Sequence, residues 1–207
     1  MFLSLFDIFK IGIGPSSSHT MGPMVAANRF IEALASDEPI PGAGPAARLA
    51  CRLHGSLAWT GKGHASDRAV ILGLAGFAPA TLDPEEAEAV LARIRERRVI
   101  EVPGIGPLDF DPGADLVFDY GPALPGHSNG LLLSAHDARG HLRLTETYYS
   151  VGGGFVLTEA ELAADDRLDP VDAHDRVPYP FCTAAEMLEM AARSGLSIAG
   201  MKRANEE

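Results

Sequence analysis

A run of small hydroxyl-bearing residues with one imidazole stands out near the start of the chain. It reads Ser16-Ser17-Ser18-His19-Thr20 and follows Gly14-Pro15. Glycine and proline end the apolar segment before it, and Pro23 suits the first turn of a following helix. The hydroxyl of Ser18 or Thr20 is then expected to cap that helix. A hydroxyl-rich helix start is a natural seat for a carboxylate or phosphate, so the segment is either an anion site or simply a capped loop.

Two further loops place an imidazole beside glycine and small polar groups. One is Thr60-Gly61-Lys62-Gly63-His64-Ala65-Ser66-Asp67, which separates a strand-like segment from a short apolar helix. The other is His127-Ser128-Asn129, at the entrance of a predicted strand. Reactive groups often stand on loops at the carboxyl ends of strands. The structural alternatives stay open: His64 bonded to nearby backbone, and His127 and Asn129 forming a turn.

Convergence of the three loops would create a site for a small polar anion. A histidine beside a carboxylate-binding loop could remove the proton from the carbon next to that carboxylate. A Ser-His-Asp triad is less favoured, because adjacent Ser18 and His19 are expected to point apart and Ser18 does not lie in a G-x-S-x-G nucleophile elbow. A zinc site is less favoured still, since the histidines lack H-x-x-x-H spacing. The glycine motifs of mononucleotide and dinucleotide sites are also absent from the sequence.

Helices and strands alternate around these loops. The expected elements are part of a strand in 2–13, a helix with an apolar stripe at Met24, Ala27, Ile31 and Leu34, a strand over 48–60, a helix over 69–74, a helix capped by Asp83 and ending near Arg97, strands over 99–102 and 116–119, a hairpin of 131–135 with 142–150, and a helix from the capping box Thr183–Glu186 to Gly195. The triple glycine Gly152-Gly153-Gly154 predicts a bulge or a close backbone approach.

Length and composition limit the classes of protein. The chain of 207 residues is 46% hydrophobic, which suits one large domain or one domain with an appendage. A net charge of −11 with three lysines argues against nucleic-acid and anionic-membrane partners. Cys51 and Cys182 lie far apart, so neither a disulfide framework nor a metal knuckle is indicated. A reduced, cytoplasmic protein is the simplest interpretation, because Asp7 and Lys10 interrupt the apolar N-terminus and no long apolar run follows.

Four stretches of the sequence resemble the β domain of the iron–sulfur-dependent L-serine dehydratases. They are Phe6 to Met24, Gly55-Ser56-Leu57 leading into Thr60-Gly61-Lys62-Gly63-His64, His127-Ser128-Asn129-Gly130, and Tyr149-Ser150-Val151-Gly152-Gly153-Gly154-Phe155. The resemblance covers essentially the whole chain in order. It implies a β domain over 1–180, followed by a helix and linker over 181–207 that lead to an absent, largely helical α domain. In that family the α domain carries the cysteine ligands of a [4Fe-4S] cluster.

The resemblance also implies a mechanism for converting L-serine to pyruvate and ammonia. In the family, the cluster acts as a Lewis acid on the serine hydroxyl while a base removes the α proton. On this pattern His64 is the base, and Ser16, Ser17, Ser18, His19 and Thr20 line the carboxylate side. His127 and Asn129 complete the pocket. Relatives often carry threonine where this chain has Ala65-Ser66 before Asp67, a departure that keeps a hydroxyl.

The implied fold is α+β, a mixed or antiparallel sheet with helices packed on it, similar to the allosteric substrate-binding domain of D-3-phosphoglycerate dehydrogenases. The implied partners are an α domain or subunit, L-serine and a possible second copy of the chain. Because Cys51 and Cys182 do not match the family's cluster ligands, this chain alone is expected to hold no cluster and to turn over no serine. The ending at Asn205-Glu206-Glu207 is interpreted as a cut. The alternative is a stand-alone effector-binding module.

Overall fold

The computed structural model describes residues 10–36, 40–165 and 177–206. Contacts between Cα atoms divide the chain into two units, of which one is Ile11–Leu162. The described part of the other consists of residue 10 and residues 163–165 and 177–206. Most of the strand expected in 2–13 lies outside the described residues, and residues 10–13 form no regular element. The predicted division at residue 180 stays a prediction.

Seven α-helices and seven strands form the regular structure of the described residues. In chain order they are α1 Gly22–Ser36, β1 Ala46–His54, α2 Ser56–Thr60, α3 Ser66–Leu74, α4 Pro84–Arg97, β2 Val99–Val102, β3 Gly106–Asp109, β4 Leu116–Asp119, β5 Gly130–Asp137, β6 Leu142–Gly152, β7 Phe155–Thr158, α5 Glu159–Asp165, α6 Ala184–Ser194 and α7 Ile198–Glu206. None of these helices is both long and apolar enough to cross a membrane.

The seven strands form one open, mixed sheet in the order β2-β3-β1-β5-β6-β7, with β4 also paired to β1. Strand β1 is the centre of this sheet. It pairs in parallel with β3 near its start and with β4 near its end, where His54 lies opposite Asp119. Its other edge pairs antiparallel with β5. The carboxyl ends of β1 and β4 therefore meet at one edge of the sheet.

The core lies on one face of the sheet, beneath the helices. Strand β1 alternates buried Leu49, Cys51 and Leu53 with exposed Arg48 and Arg52, which identifies its core-facing side. Packed on that side are the buried residues of α1 and α3, among them Met24, Phe30, Leu34, Val70 and Leu74. This one-sided burial follows from the period of two in β1 and from the apolar stripe of α1.

Most of the predicted elements are confirmed. The apolar stripe forms α1, Asp83 caps α4 through bonds from the backbone N–H groups of Glu85 and Glu86, and the predicted hairpin is β5 with β6. The helix after Thr183 begins with the predicted capping box and ends at Gly195. The sheet is mixed, as the α+β prediction requires.

The structure differs from the local predictions at two places and agrees with them at a third. The strand expected over 48–60 ends at His54, because Gly55 adopts a φ of +55° that turns the chain into α2. Strand β3 was not predicted, since its sequence Gly106-Pro107-Leu108-Asp109 carries no strand signal. The irregularity predicted at the triple glycine is present: the register of β6 and β7 shifts between Ser150 and Gly152, and Gly153 and Gly154, with φ values of +60° and +77°, make the turn between the two strands.

Two helices, α6 and α7, lie wholly within the described part of the second unit. No residue of α6 is buried, and the exposed fraction of Leu188 is 60%. In α7, Met201 and Asn205 are buried, and Asn205 exchanges two hydrogen bonds with the backbone of Tyr179. A short structured segment around Tyr179 is thus fixed to α7.

Candidate functional site

The hydroxyl-rich run forms a single π-helical turn, Ser17–Met21, that leads directly into α1. Both Thr20 and Met21 donate their backbone N–H to the carbonyl of Ser16, at 3.0 and 3.2 Å. The cap is Ser16, whose Oγ accepts from the backbone N–H of His19 at 3.1 Å. The expectation of a cap at Ser18 or Thr20 is therefore wrong, because the helical backbone begins one turn earlier than the position of Pro23 suggests.

The His19 imidazole is held at both of its nitrogens. Its Nδ1 lies 2.9 Å from Oγ of Ser18, and its Nε2 lies 2.9 Å from Oγ of Ser56 at the start of α2. The expectation that Ser18 and His19 point apart is wrong, since the π-helical turn brings the two side chains together. Burial lowers the pKa of His19, and the neighbouring His64 lowers that pKa further. A neutral imidazole is favoured at this position.

His64 presents one ring nitrogen that can accept a proton. Its Nδ1 lies 2.9 Å from the carbonyl oxygen of Thr60, and because a carbonyl can only accept, Nδ1 carries the hydrogen. Nε2 then holds the lone pair, and the hydrogen bonds of the described residues leave that nitrogen unengaged. The rings of His64 and His19 lie 4.8 Å apart between centroids, inclined by 40°. The half-buried His64 ring is thus oriented as a base.

Two buried hydroxyls tie the first two loops together through the backbone. Thr20 donates from Oγ1 to the carbonyl of His64 at 2.8 Å, and Ser66 donates from Oγ to the carbonyl of His19 at 2.5 Å. Both residues are almost fully buried. Each hydroxyl therefore fixes the main chain of the opposite imidazole, and Thr20 holds the two loops in position. The backbone between His64 and Ser66 turns at Ala65, which has a φ of +55°.

The third loop joins the site through Ser128. The backbone N–H of Ser56 donates to the carbonyl of Ser128 at 2.8 Å. Within that loop, Nδ1 of His127 accepts from the backbone N–H of Asn129 at 3.1 Å. The side chain of Asn129 is buried and donates to the carbonyl of Ser150 at 3.1 Å. Asn129 thus fastens the loop to β6, and no hydrogen bond or ring contact among the described residues joins His127 to His19 or His64.

Three loops therefore meet at the carboxyl end of β1, which is the convergence that the sequence-based hypothesis of a shared site needs. Ser16, Ser18, His19 and Ser56 form a continuous chain of hydrogen bonds, in which the Oγ atoms of Ser16 and Ser18 are 3.4 Å apart. Ser17 is exposed at the start of the turn. Hydroxyl donors can hold a small carboxylate, and an imidazole nitrogen with a lone pair can remove a nearby proton.

The described residues do not fit an iron–sulfur cluster. No group of three or more His, Cys, Asp or Glu side chains among them could hold a metal ion. Cys51 is buried in the core, and burial raises the pKa of its thiol, which opposes the thiolate that a cluster requires. Cys182 is exposed in the other unit.

The sequence did not identify Ser56 as the hydrogen-bond partner of His19, or the hydrogen bond from Ser66 to the His19 carbonyl. Ser56 follows Gly55, and a Cβ at Gly55 would collide with the carbonyl of Ser128, so only glycine lets the two loops approach this closely. Gly55 inside the strand expected over 48–60 was the signal that could have pointed to Ser56, because a glycine in a strand often marks a turn or a close backbone approach. Nothing local indicates that Ser66 reaches the carbonyl of His19, which lies 47 positions away in the chain.

The fold and the site define a class: an α+β domain with a hydroxyl-lined, histidine-containing candidate site. The family described as serine dehydratase beta chain matches residues 4–161, so the chain belongs to that family. It is 44% identical over its full length to an L-serine dehydratase of Streptomyces coelicolor and covers 44% of that protein. An L-serine dehydratase of Helicobacter pylori is 43% identical over 98% of this chain, which covers 43% of that protein.

L-serine dehydratase 1 of Escherichia coli is 40% identical over 99% of this chain, which covers 43% of that protein. The chain therefore spans less than half the length of the curated relatives it matches. Membership of the family is established for this portion, and the relatives contain a further portion of larger size.

Proposed function

We propose that this chain is the β portion of an L-serine ammonia-lyase, which converts L-serine to pyruvate and ammonia. Support comes from the family to which the chain belongs and from relatives named L-serine dehydratases along its whole length. The relatives are more than twice as long, so the complete activity belongs to an assembly of this chain with an α domain or α subunit.

The observation that carries the proposal is the orientation of His64. Its Nδ1 hydrogen is directed to the Thr60 carbonyl, so Nε2 is the basic nitrogen. A base with this arrangement is suited to removing the α proton of serine, whose carboxylate would be held by the hydroxyl loop. His19 stays neutral beside it, which leaves His64 free to accept the proton without a neighbouring positive charge.

The remaining residues of the site are assigned to substrate binding. Ser16, Ser17 and Ser18 would receive the carboxylate through their hydroxyls at the start of the π-helical turn, where the positive end of a helix favours an anion. His19 orients Ser18 through their hydrogen bond. Thr20 positions this loop, while His127 and Asn129 bound the opposite side of the pocket.

The chain's own chemistry is thus limited to binding the substrate and removing a proton. A [4Fe-4S] cluster of the complete enzyme would take its ligands from elsewhere, because the described residues provide no fitting set. A cytoplasmic location, a possible homodimer and the likeness to the allosteric substrate-binding domain of D-3-phosphoglycerate dehydrogenases are part of the same proposal.

The test is the reaction catalysed by the complete enzyme under anaerobic conditions. L-Serine deuterated at the α carbon should give pyruvate and ammonia in equal amounts, and turnover should be slower than with ordinary L-serine because the α C–H bond breaks. Absence of pyruvate would contradict the proposal. Binding of L-serine without any turnover would instead favour an effector-binding module.

A further inference from the structure

Two large aromatic side chains lie exposed and in contact beside the site. Trp59, the single tryptophan of the chain, is 67% exposed, and Tyr120 is 50% exposed. Their ring centroids are 4.8 Å apart, inclined by 58°. We name this pair the aromatic patch. Tryptophan and tyrosine are the residues that most often anchor protein interfaces, and leaving them in water is unfavourable.

The patch is built on the same segments as the site. Trp59 belongs to α2, whose first residue Ser56 holds His19 and whose last residue Thr60 holds His64. Tyr120 directly follows β4, which pairs with the end of β1. A protein surface that covers the patch would therefore contact α2, the helix whose two ends hold His19 and His64.

Charged side chains of both signs border the patch. Lys62 lies on the loop after α2, with its Nζ 5.4 Å from the ring centroid of Phe118, and its side chain is exposed. Arg52 forms an ion pair of 3.7 Å with Asp119, the residue before Tyr120, so these two charges offset each other. The exposed ammonium of Lys62 therefore favours a partner that places a carboxylate beside an apolar centre.

The partner that binds the patch is inferred from the length of the relatives and from the groups that the proposed reaction still lacks. The relatives contain a portion more than half their length that this chain does not match. The proposed reaction also requires that portion to reach the substrate held beside His64. A free second copy of this chain would cover the patch without completing the site.

We propose that the aromatic patch is the docking surface for the remaining portion of the dehydratase, with Trp59 and Tyr120 as its anchors. The inference rests on the proposed function, since it takes its partner from the complete enzyme. Trp59 and Tyr120 act here as binding residues and have no part in the chemistry.

Hydroxyl-radical footprinting tests the docking surface directly. The 207-residue chain and the complete dehydratase are exposed to the same radical dose, and oxidation of the peptides with Trp59 and Tyr120 is quantified by mass spectrometry. Leu142 is the reference, because it is exposed at the start of β6, away from the site. Oxidation of Trp59 and Tyr120 should fall several-fold in the complete enzyme relative to Leu142. Equal oxidation in both samples would overturn the inference.

Pyruvate formation measured on the same complete enzyme separates the two proposals. Protection of Trp59 and Tyr120 without pyruvate would leave the docking surface standing and remove the proposed function. Pyruvate formation with no protection would support the function and place the docking surface elsewhere.

Discussion

At the scale of residues, the two imidazoles of the site have different tasks because their surroundings differ. His19 is hydrogen-bonded at both nitrogens, whereas His64 is bonded to a carbonyl at one. Two protonated rings at a centroid separation of 4.8 Å would repel each other. The arrangement therefore favours one proton acceptor, His64, beside a neutral neighbour.

This electrostatic coupling predicts the effect of removing one imidazole on the other. In His64→Ala, the pKa of His19 should rise toward its ordinary value, because the opposing charge is lost while burial persists. NMR titration of the histidine ring protons in the isolated chain measures this pKa. The matched control is His136→Ala, which removes a histidine from β5 outside the site. This variant should leave the pKa of His19 unchanged. An unchanged or lower pKa in His64→Ala would show that the rings do not interact.

The candidate residues could largely be predicted, and their connections could not. Histidines on glycine-containing loops after strands stand out in a sequence, which is how His19, His64 and His127 were selected. The bonds from Thr20 to His64 and from Ser66 to His19 join backbone carbonyls across the fold. No local pattern encodes such long-range contacts, so the supporting role of these hydroxyls emerged only from the structure.

At the scale of elements, close packing of α1 on α3 sets the position of the site, because both helices begin at its loops. A Cβ placed at Gly73 of α3 would collide with the carbonyl of Met24 and lie 2.7 Å from Cβ of Ala27. Glycine is thus required for the helices to approach this closely. The stripe of α1 could be predicted from its period, whereas this contact could not, since Gly73 reads only as a weak helix residue.

Gly73→Ala should lower the free energy of unfolding by roughly 1–3 kcal/mol, the usual cost of overpacking a core. Urea denaturation of the isolated chain measures this change. Gly200→Ala is the matched control, because Gly200 is also helical but a Cβ there would meet its nearest atom at an ordinary 3.4 Å. That variant should be neutral or more stable by up to about 1 kcal/mol. Equal effects of the two substitutions would refute the packing argument.

The carboxyl end of β1 also carries a buried imidazole outside the three loops, that of His54. Its Nε2 is buried and has no hydrogen-bond partner in the part of the chain that the structure describes, and its Nδ1 lies 3.9 Å from Oδ2 of Asp119. Burial lowers the pKa of His54, and this effect outweighs the opposing attraction of Asp119. Protonation is therefore less favourable in the folded chain than in the unfolded chain.

The consequence is a loss of stability in mild acid. Stability linked to His54 is fully present above the ordinary imidazole pKa of about 6.5 and falls as pH drops toward the lower pKa of the folded state. Urea denaturation at several pH values should give a smaller decrease for His54→Gln than for wild type. His136→Gln serves as control and should follow wild type. A decrease of equal size in all three proteins would exclude His54 as a source of the acid sensitivity.

At the scale of the whole molecule, the chain contributes one wall of the proposed serine pocket. Its portion matches less than half of each relative, and the described residues lack a cluster site. The family could be predicted because long motifs recur in order along the chain, while the mode of assembly could not, because contacts with an absent partner leave only indirect traces such as the exposed Trp59.

An incomplete pocket should bind its substrate weakly. Calorimetric titration of the isolated chain with L-serine should give a dissociation constant of about 1 mM or weaker, since contacts from the remaining portion are missing. The complete enzyme, titrated in parallel, should bind more tightly. Binding by the isolated chain as tight as by the complete enzyme would show that the pocket is whole without a partner.

The central claim is that His64 removes the α proton of serine, and the turnover number of His64→Ala in the complete, anaerobically prepared enzyme tests it most directly. His136→Ala is the matched control, with cluster content determined for every sample. The His64→Ala enzyme should turn over L-serine about 10²-fold more slowly or worse, the usual scale for loss of a general base, while the control stays near wild type. Near-normal turnover by His64→Ala would contradict the claim.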